Sequence, residues 1–467
     1  MSHVAVVLAA GHGTRMKSDL PKVLHRVAGR PMLSWVLDAV EATKPDATIV
    51  VVGHGAEAVV ESIGDGVEYC IQHERRGTGH ATQVALEHLG DGTGKGVLVV
   101  PGDTPLITGD ALQQLVDRHA HWESGVVMLS AELADPSGYG RVVRSGGTVL
   151  GIVEDRDANI DQRSIREINA GMYLFCGDEL AGDLASLEPD NAQGELYVTD
   201  VVGLVAGRGE RVDAIVVDES VVAGINTLAQ LADANRAARE RMVGALMAEG
   251  VTIVDPARTY IDATVTVERG ATLYPGCHLE GSTIVSEGAV VGPDVFAVDS
   301  VIGPGARVWY SVLRGAQVGG GCDVGPYTTL RPGTILESGS KAGSFVELKN
   351  TVVEENAKVP HLSYLGDARV GRGANVGAGT ITCNYDGFEK NRTDIGEGAF
   401  IGSDTMLVAP VSIGDGAVTG AGSVITEDVP AGALAIERSD QTIIAGYASR
   451  KAERYRSQRD EDADKER

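Results

Sequence analysis

The pattern of hydrophobic and polar positions differs between the two halves of the chain. In the first half, continuous apolar runs alternate with segments of helical periodicity. The apolar runs cover residues 4–10, 49–52, 97–100, 126–129, 171–175 and 212–217. Helical patterns lie between several of them, at 32–43, 79–88 and 111–119. Because continuous apolar runs are typical of strands buried on both faces, this alternation predicts an α/β domain with a mostly parallel sheet and ligands at the carboxyl ends of its strands.

In the second half, from about residue 260 to residue 429, aliphatic or small residues recur every six positions. The registers are Ile261, Val267, Leu273, Leu279, Val285, Val291 and Ala297; then Val318, Val324, Leu330, Leu336, Ala342 and Leu348; then Ile395, Ile401, Leu407, Ile413, Thr419 and Ile425. A helix repeats about every 3.6 residues and a strand about every 2, so a period of six predicts a short strand plus a turn, with three faces closing a triangular coil. A β-sandwich with irregular turns would not keep one period through so many repeats.

Between the halves, apolar residues follow helical spacing among charged ones and end at Gly250. They are Leu228, Leu231, Ala234, Ala238, Met242 and Leu246. This pattern predicts an amphipathic connecting helix. We therefore expect an α/β domain over residues 1–226, a connecting helix over 227–250, a coiled β domain over 251–447 and a disordered charged tail over 448–467.

The bulk composition limits the possible partners. A net charge of −25 argues against a nucleic-acid or anionic-membrane partner, so phosphorylated substrates need local cations. The five cysteines are widely spaced and form no CxxC, which indicates neither a disulfide framework nor a zinc site and favours a reduced cytoplasm. We find no signal peptide and no stretch of membrane-spanning length, so membrane insertion is not expected.

The first apolar run ends in a glycine loop, LAAGHGTRM at residues 8–16, followed by Pro21 and Lys22. Backbone N–H groups of such a loop approach phosphate oxygens closely, and Arg15 and Lys22 add positive charge. The loop is neither a Walker A loop nor a full GxGxxG fingerprint. A strand-to-helix turn with an exposed arginine is the alternative. The phrase resembles the signature of the sugar-nucleotide pyrophosphorylases, which are nucleotidyltransferases of the GT-A-like, Rossmann-like fold.

That resemblance implies a set of residues that bind UTP and UDP-N-acetylglucosamine. The loop contributes Leu8, Ala9, Ala10, Gly11, Gly13, Thr14, Arg15 and Lys22, with Arg15 and Lys22 as catalytic cations. Gln72, Gly77 and Thr78 match the segment that reads the uracil base, and Gly140, Glu154 and Asn169 match the sugar-binding set. Asp103 and Asn226 match the ligands of Mg²⁺, a cation that prefers oxygen ligands. Each residue alone would be an ordinary loop residue, and Pro101 stands where the family often has tyrosine, so no contact is assigned there.

Three features depart from the six-residue repeat: Arg331 beside a turn, the stretches 346–350 and 359–366 with His361, and an insertion at 383–393. Departures from a repeat are where function usually lies. A long exposed loop on a coiled domain normally binds a partner, and we expect a neighbouring subunit here. Histidine has an ordinary pKa of about 6.5, which suits a base near neutrality, although a lone histidine more often has a structural role.

The second half resembles the left-handed parallel β-helix of the hexapeptide-repeat acyltransferases. In particular it is similar to the C-terminal half of the bifunctional N-acetylglucosamine-1-phosphate uridyltransferase/glucosamine-1-phosphate N-acetyltransferase family. The resemblance implies that His361 is the general base, and it implies trimers that share this site between chains. The implied glucosamine-1-phosphate ligands are Arg331, Lys349, Tyr364, Asn375 and Lys390. The implied acetyl-CoA ligands are Ala378, Asn384, Tyr385, Ser403, Ala421 and Arg438.

We therefore expect a cytoplasmic bifunctional enzyme that makes UDP-N-acetylglucosamine for cell-wall precursors. Its cofactor would be Mg²⁺, its co-substrates acetyl-CoA and UTP, and its partners small molecules and further copies of itself. One alternative is a single-function pyrophosphorylase with a structural or regulatory β-helix. The other is an assembly or regulatory protein in which both halves are binding modules.

Overall fold

The computed structural model describes residues 2–11, 13–90, 96–122 and 124–465. The chain divides into two compact units. The first comprises Met1–Glu287 and Val291–Asp299, and the second comprises Gly288–Val290 and Ser300–Arg467. The first unit therefore contains the α/β region, the following long helix and the first turns of the hexad repeat.

A central sheet organises the α/β region. The strands of this region are β1 (Val4–Leu8), β2 (Arg26–Val27), β3 (Arg30–Pro31), β4 (Ala47–Val52), β5 (Glu68–Ile71), β6 (Gly96–Pro101), β7 (Val126–Glu132), β8 (Arg141–Ser145), β9 (Thr148–Val153), β10 (Glu167–Cys176) and β11 (Val212–Val216). The sheet order is β11-β7-β10-β6-β1-β4-β5, and the β8–β9 hairpin pairs with β10. Strand β10 is antiparallel to β6 and β7, whereas β1, β4, β5 and β6 run parallel. The predicted mostly parallel α/β sheet is confirmed.

Helices cover both faces of the sheet. They are α1 (Met32–Glu41), α2 (Ala56–Ile63), α3 (Thr78–Leu89), α4 (Gly109–Trp122), α5 (Ile160–Arg163), α6 (Gly177–Ala185) and α7 (Val198–Gly207). In β1, Ala5 and Val7 join a core cluster with side chains of α1 and α4, while Val4 and Val6 join a second cluster with side chains of α3, α6 and α7. Because alternate residues of one strand are buried on opposite faces, the strand reads as a continuous apolar run.

The predicted connecting helix is confirmed as α8 (Leu228–Ala248). Thr227 and Gln230 form a capping box at its start, in which each side chain accepts from the other residue's backbone N–H. Ala234 and Ala238 of this helix pack in a core cluster with Met32 and Ile225 of the same unit. The position of the functional domain boundary within 227–250 stays a prediction.

Short strands make up the hexad region. They are β12 (Thr252–Ile253), β13 (Tyr260–Ile261), β14 (Thr266–Val267), β15 (Thr272–Leu273), β16 (His278–Glu280), β17 (Ile284–Val285), β18 (Val290–Val291), β19 (Phe296–Val298), β20 (Val301–Ile302), β21 (Arg307–Val308), β22 (Val312–Arg314), β23 (Gln317–Val318), β24 (Asp323–Val324), β25 (Thr329–Leu330), β26 (Ile335–Leu336), β27 (Lys341–Ser344), β28 (Glu347–Lys349), β29 (Val352–Val353), β30 (Lys358–His361), β31 (Tyr364–Gly366), β32 (Ala368–Val370), β33 (Asn375–Val376), β34 (Ile381–Cys383), β35 (Thr393–Ile395), β36 (Phe400–Ile401), β37 (Met406–Val408), β38 (Val411–Ile413), β39 (Val418–Thr419), β40 (Val424–Ile425) and β41 (Leu434–Ala435).

Within each unit, most of these strands pair in parallel with the strand three places further along the chain, and near the end β39 pairs with β41. In the first unit β13 pairs with β16 and β16 with β19, and in the second unit β22 pairs with β25, β25 with β28 and β28 with β31. Three strands therefore complete one coil, and the region is the predicted β-helix of hexapeptide repeats, of the left-handed class. The hexad residues of the three predicted registers are all buried.

The repeat contains steps of five residues that the period alone does not predict. In a six-residue step, as from Val370 to Val376, a residue with positive φ stands three positions after the first buried residue, here Gly373. In a five-residue step, as from Leu365 to Val370, it stands two positions after, here Asp367 with φ of 52°. A five-residue step therefore has a turn that is one residue shorter, and the buried side chains on either side of it keep their inward positions.

The predicted insertion is confirmed as a loop between β34 and β35, with an antiparallel bridge between Tyr385 and Lys390. Its apolar tip residue Phe388 is 94% exposed. Residues Tyr447–Lys465 form helix α9, where the composition predicted a disordered tail. The side chains that the structure describes in this helix are exposed, so its own backbone hydrogen bonds and not burial define it. Among the described residues, no helix has the length and apolarity needed to cross a membrane.

Candidate active sites

The first site lies in the first unit, at the carboxyl ends of β1 and β6. The Lys22 ammonium forms an ion pair with the Asp103 carboxylate and donates to Asn226 Oδ1 at 2.7 Å. Arg15 Nη2 donates to the same Asn226 oxygen at 2.8 Å. Lys22 therefore contacts both predicted metal ligands, and Arg15 contacts one of them, Asn226, although residue 226 is far from the other three in sequence.

The glycine loop is shaped by close packing against Lys22. Gly13 has φ of 61°, and a Cβ added there would lie 2.7 Å from Lys22 Cβ. Only glycine adopts this backbone conformation without a clash, so Gly13 allows Lys22 to approach the loop. Thr14 and Arg15 follow in a short 3₁₀ turn, Thr14–Met16, with both side chains exposed. His12 of the loop lies outside the described residues.

A cavity of about 650 Å³ opens beside this ion pair. Nine predicted residues line it: Leu8, Ala10, Gly11, Gln72, Gly77, Thr78, Asp103, Glu154 and Asn169. The predicted Ala9 is buried, and its N–H donates to Val51 O at 2.8 Å, so it supports the loop. Gly140 adjoins the cavity, because a Cβ there would lie 3.4 Å from the Glu154 carboxylate. The structure thus brings the predicted nucleotide and sugar residues around one space.

The residues assigned to the base are fixed by internal hydrogen bonds. Gln72 Nε2 donates to Gly77 O at 3.1 Å, and Thr78 Oγ1 accepts from the N–H of Val198 at 3.1 Å. Gly77 has φ of 105°, and a Cβ there would lie 2.4 Å from Leu196 O. These hydrogen bonds and the close backbone approach at Gly77 fix the conformation of this stretch.

The residues assigned to the sugar form a second, acidic side of the cavity. Burial raises the pKa of Glu154, and the nearby carboxylates of Asp200, Asp157 and Asp155 raise it further, against a hydrogen bond donated by Thr199 Oγ1 at 3.2 Å. A proton-bearing or hydroxyl-rich ligand fits such a carboxyl better than an anion does.

Asn169 is oriented by two contacts at a bulge in β10. Its Nδ2 donates to the Tyr173 hydroxyl at 2.6 Å, and its Oδ1 accepts from Gly171 N at 3.1 Å. Burial raises the pKa of Tyr173, which therefore stays a neutral hydroxyl. Sequence reasoning missed Tyr173, which also lines the cavity together with Arg75, Glu195 and Thr199. The sequence could have pointed to Tyr173, because residues four apart in a regular strand lie on the same face and Tyr173 is four residues after Asn169 in β10.

The second site lies in the second unit, along one corner of the β-helix. His361 ends β30 with its side chain exposed, and no described residue hydrogen-bonds to its imidazole. The next residue, Leu362, accepts from Gly379 N at 2.9 Å, which places Ala378 on the coil above. Asp404 N then donates to Ala378 O at 2.6 Å, and Gly422 N donates to Ser403 O at 2.8 Å.

The predicted acetyl-CoA residues therefore stack on the corner that begins at His361. Ala378, Ser403 and Ala421 occupy successive coils, and Arg438 Nη1 donates to Ala421 O at 2.9 Å. The spacing of six residues between repeats brings these small residues into one column. The two remaining members, Asn384 and Tyr385, belong to the insertion.

The predicted phosphate ligands come from adjacent coils and the insertion. Arg331 Nη1 lies 3.0 Å from Glu347 Oε1 in an exposed ion pair. The nearby side chain of Lys390 is the largest cause that lowers the pKa of Lys349, followed by burial and by the positive charges of Lys390 and Arg331. Tyr364 and Asn375 are half-buried on β31 and β33, and their backbones pair with neighbouring coils. The structure gives no contact that joins these two side chains to His361.

Sequence reasoning missed two carboxylates of this site. Glu347 pairs with Arg331, and Asp367 lies near Lys349 and Lys390. The sequence feature that could have pointed to Asp367 is the five-residue step in the repeat, because a turn shortened by one residue differs from the other turns of the β-helix.

Comparisons with known proteins match both halves of the chain. The family model for a MobA-like NTP transferase domain matches residues 5–198, and the model for the bacterial transferase hexapeptide (six repeats) matches residues 392–427. The bifunctional protein GlmU of Streptomyces avermitilis is 47% identical over 455 residues, which cover 96% of this chain and 94% of the relative. The bifunctional protein GlmU of Caldanaerobacter subterraneus subsp. tengcongensis is 45% identical over 97% of this chain and 99% of its own. A solved UDP-glucose pyrophosphorylase with bound UDP-glucose is 18% identical over 52% of this chain, with a TM-score of 0.42.

Proposed function

The chain belongs to the family of the bifunctional protein GlmU and is a uridyltransferase and acetyltransferase, and we propose that the two sites described above carry its two reactions. In the second unit, glucosamine-1-phosphate is acetylated by acetyl-CoA. In the first unit, the resulting N-acetylglucosamine-1-phosphate reacts with UTP to give UDP-N-acetylglucosamine and pyrophosphate. One observation carries this proposal. Although the chain is acidic, each unit has its own group of basic side chains at the place where the phosphorylated substrate is predicted to bind.

In the acetyl transfer, His361 takes a proton from the amino group of the substrate. The nitrogen then attacks the thioester carbonyl, the C–N bond forms and the C–S bond breaks, and the sulfur leaves as coenzyme A after receiving a proton. Arg331, Lys349 and Lys390 hold the sugar phosphate, and the column above His361 holds the coenzyme. The exposed imidazole has no hydrogen-bond partner among the residues that the structure describes, so it is available for this proton transfer.

In the uridylyl transfer, a phosphate oxygen of the sugar phosphate attacks the α-phosphorus of UTP in line, and the bond to the β-phosphate breaks. Catalysis of this kind depends on placement and charge stabilisation, so no covalent intermediate with the protein is proposed. Arg15 and Lys22 stabilise the phosphate charge, Gln72 and Thr78 hold the base, and Glu154 and Asn169 hold the sugar.

The residues present fit Mg²⁺ at this site. Asp103 and Asn226 direct oxygen atoms at a single cation, the Lys22 ammonium, and so already form a cation-binding arrangement. Among the described residues, no group of three or more histidine, cysteine, aspartate or glutamate side chains could hold a metal. Two oxygen ligands suit Mg²⁺, which keeps waters and substrate phosphates as its other ligands. When bound, Mg²⁺ would neutralise phosphate charge.

The assembly and location are proposals that rest on the family resemblance. We propose a homotrimer in the cytoplasm, in which neighbouring copies complete the second site. Light scattering tests the assembly: three copies of a 48.6 kDa chain are expected, and a monomer at assay concentration with full acetyltransferase activity would contradict it.

Two product assays test the proposed reactions. Release of free thiol is followed with acetyl-CoA and glucosamine-1-phosphate, and release of pyrophosphate with UTP and N-acetylglucosamine-1-phosphate, the latter with and without Mg²⁺. We expect both products, and we expect pyrophosphate release to need Mg²⁺. The single-function alternative predicts pyrophosphate without thiol, and the binding-module alternative predicts neither.

A further inference from the structure

Asp367 occupies a corner of the β-helix where the insertion begins and ends. Its carboxylate accepts one hydrogen bond from Asn350 Nδ2 at 2.7 Å and another from Asn384 Nδ2 at 2.6 Å. Its backbone N–H donates to Lys349 O at 3.0 Å, and its carbonyl accepts from Thr393 N at 3.3 Å. Asn384 opens the insertion and Thr393 closes it, so one residue joins both ends of the loop to the coil that carries Lys349.

The charge around Asp367 is also unusual for a corner residue. Burial raises the pKa of its carboxyl, but the hydrogen bonds from Asn350 and Asn384 and the positive charges of Lys349 and Lys390 outweigh burial and lower it. Lys349 comes from the coil below and Lys390 from the insertion. Asp367 therefore provides one negative charge to two ammonium groups that otherwise repel each other.

A cavity lies beside this arrangement. It has a volume of about 320 Å³ and is lined by Gly333, Asn350, Val352, Asp367, Ala368, Lys390 and Arg392. The insertion thus contributes its two cations, Lys390 and Arg392, to a space whose opposite wall is the β-helix corner. The position of the loop decides where these cations stand.

The corner aspartate Asp299 has a simpler role. Asp299, in the first unit, also has positive φ, and its carboxylate accepts from the N–H of Ser282 at 2.9 Å and from its hydroxyl at 3.1 Å. Those contacts close the corner itself. The Asp367 carboxylate instead accepts from two side chains, one of which belongs to the insertion. The backbone conformation of the corner alone does not explain why the Asp367 carboxylate bonds to these two side chains.

We propose that Asp367 is a positioning residue that holds residues 384–392 against the β-helix, so that Lys390 lies beside Lys349 where the phosphate of the amino sugar binds. The location of that phosphate rests on the proposed function. The tether itself rests only on the contacts of Asp367. Aspartate suits both demands, since it tolerates positive φ and accepts two hydrogen bonds.

The variant Asp367→Asn tests the tether. Asparagine keeps the tolerance of positive φ, but its NH₂ group faces the NH₂ group of one neighbouring asparagine, and the negative charge is lost. Losing hydrogen bonds to a charged group predicts that kcat/KM for glucosamine-1-phosphate falls by about tenfold or more. We also expect faster amide hydrogen exchange in residues 384–392 and unchanged uridylyl transfer. The matched control Asp299→Asn should change neither the loop exchange nor acetylation.

A double-mutant cycle with Lys390→Met separates positioning from general damage. If Asp367 acts largely through Lys390, the two groups are coupled. Asp367→Asn should then lower kcat/KM for glucosamine-1-phosphate by a several-fold smaller factor in the Lys390→Met background than in the wild type. Fully additive losses, or loop exchange equal to that of the wild type, would overturn the proposal. If Asp367→Asn does not fold, Asn350→Ala serves instead, with a smaller increase in loop exchange expected and no increase contradicting the tether.

Failure of the proposed function gives a different result. A wild-type enzyme that does not acetylate glucosamine-1-phosphate removes the substrate assignment. The exchange measurement still decides whether Asp367 holds the insertion.

Discussion

The two sites place their charged groups by different physical means. In the first unit, the side chains of Lys22 and Asp103 are 10% and 24% exposed. Lys22 begins a short 3₁₀ turn, and Asp103 follows the buried strand β6. In the second unit, the side chains of Arg331 and Glu347 are 45% and 44% exposed, on the surface of a narrow coil. Solvent screens the second pair far more than the first. The α/β sheet can position charge by burial, whereas the β-helix has to use corner hydrogen bonds and an inserted loop.

The largest effect should follow from removing the buried cation of the first site. Lys22→Met leaves Asp103 and Asn226 without their shared partner and removes phosphate stabilisation, so kcat for pyrophosphate release should fall by about 10²–10³-fold. Acetyl transfer should be unchanged. Steady-state assays of both reactions check this, with the exposed neighbour Lys17→Asn as a control of full activity. Loss below threefold would show that burial of this charge has no catalytic consequence.

The next effect concerns the rigid backbone around the first cavity. Gly77→Ala places a Cβ against Leu196 O at a positive φ, and we expect a loss of about 1–3 kcal/mol in the free energy of unfolding of the first unit. Urea unfolding followed by circular dichroism measures it. Gly203→Ala in α7 is the matched control, because a Cβ there meets nothing within 4 Å and alanine favours a helix. Equal stability of both variants would contradict the tight packing at Gly77.

A smaller effect is expected where one hydrogen bond orients a ligand-facing amide. Tyr173→Phe removes the hydroxyl that accepts from Asn169 and leaves the ring packing in place. Since a neutral hydrogen bond contributes about 0.5–1.5 kcal/mol, kcat/KM for N-acetylglucosamine-1-phosphate should fall about 2–10-fold, with KM for UTP unchanged. An equal rise in both KM values would indicate a general disturbance of the cavity.

The smallest effect concerns the acid stability of the first unit. His119 is buried in α4, and both of its ring nitrogens lack a partner among the described residues. Burial lowers its pKa from 6.5, so the unfolded chain binds this proton more readily than the folded chain. The contribution of neutral His119 to the free energy of unfolding is fully present above a pH of about 6.5. It is lost as the pH falls toward the lowered pKa of the folded state, by at most about 1.4 kcal/mol per pH unit. His119→Leu should flatten the decline in unfolding free energy as the pH falls below about 6.5, and an unchanged slope would contradict it.

Periodic features of the fold were predictable from the sequence because they repeat. The hexad registers are buried as predicted, and the first apolar run forms β1, an interior strand of the sheet. Strand β5 and the hairpin β8–β9 were not predicted, because residues such as Glu68, Ile71 and Leu150 are exposed and break the apolar pattern. The helix at 447–465 was not predicted either, since a charged composition alone does not distinguish an exposed helix from a disordered tail.

The candidate sites show a similar limit. The family's motifs led to Lys22, Asp103 and Asn226, and the structure shows that they meet. Asp367 and Tyr173 could not be found in this way, because each acts on another side chain and its role appears only when distant stretches of the chain are brought together. The assignments of ligands to individual residues stay predictions until ligand binding is measured.

The central claim is that two independent chemistries occupy the two units, and exchanging one residue at a time tests it most directly. His361→Ala and Asp103→Ala are each assayed for thiol release and for pyrophosphate release. We predict that His361→Ala loses only thiol release and that Asp103→Ala loses only pyrophosphate release. If either variant lost both activities while remaining folded, or lost neither, the assignment of separate sites would be contradicted.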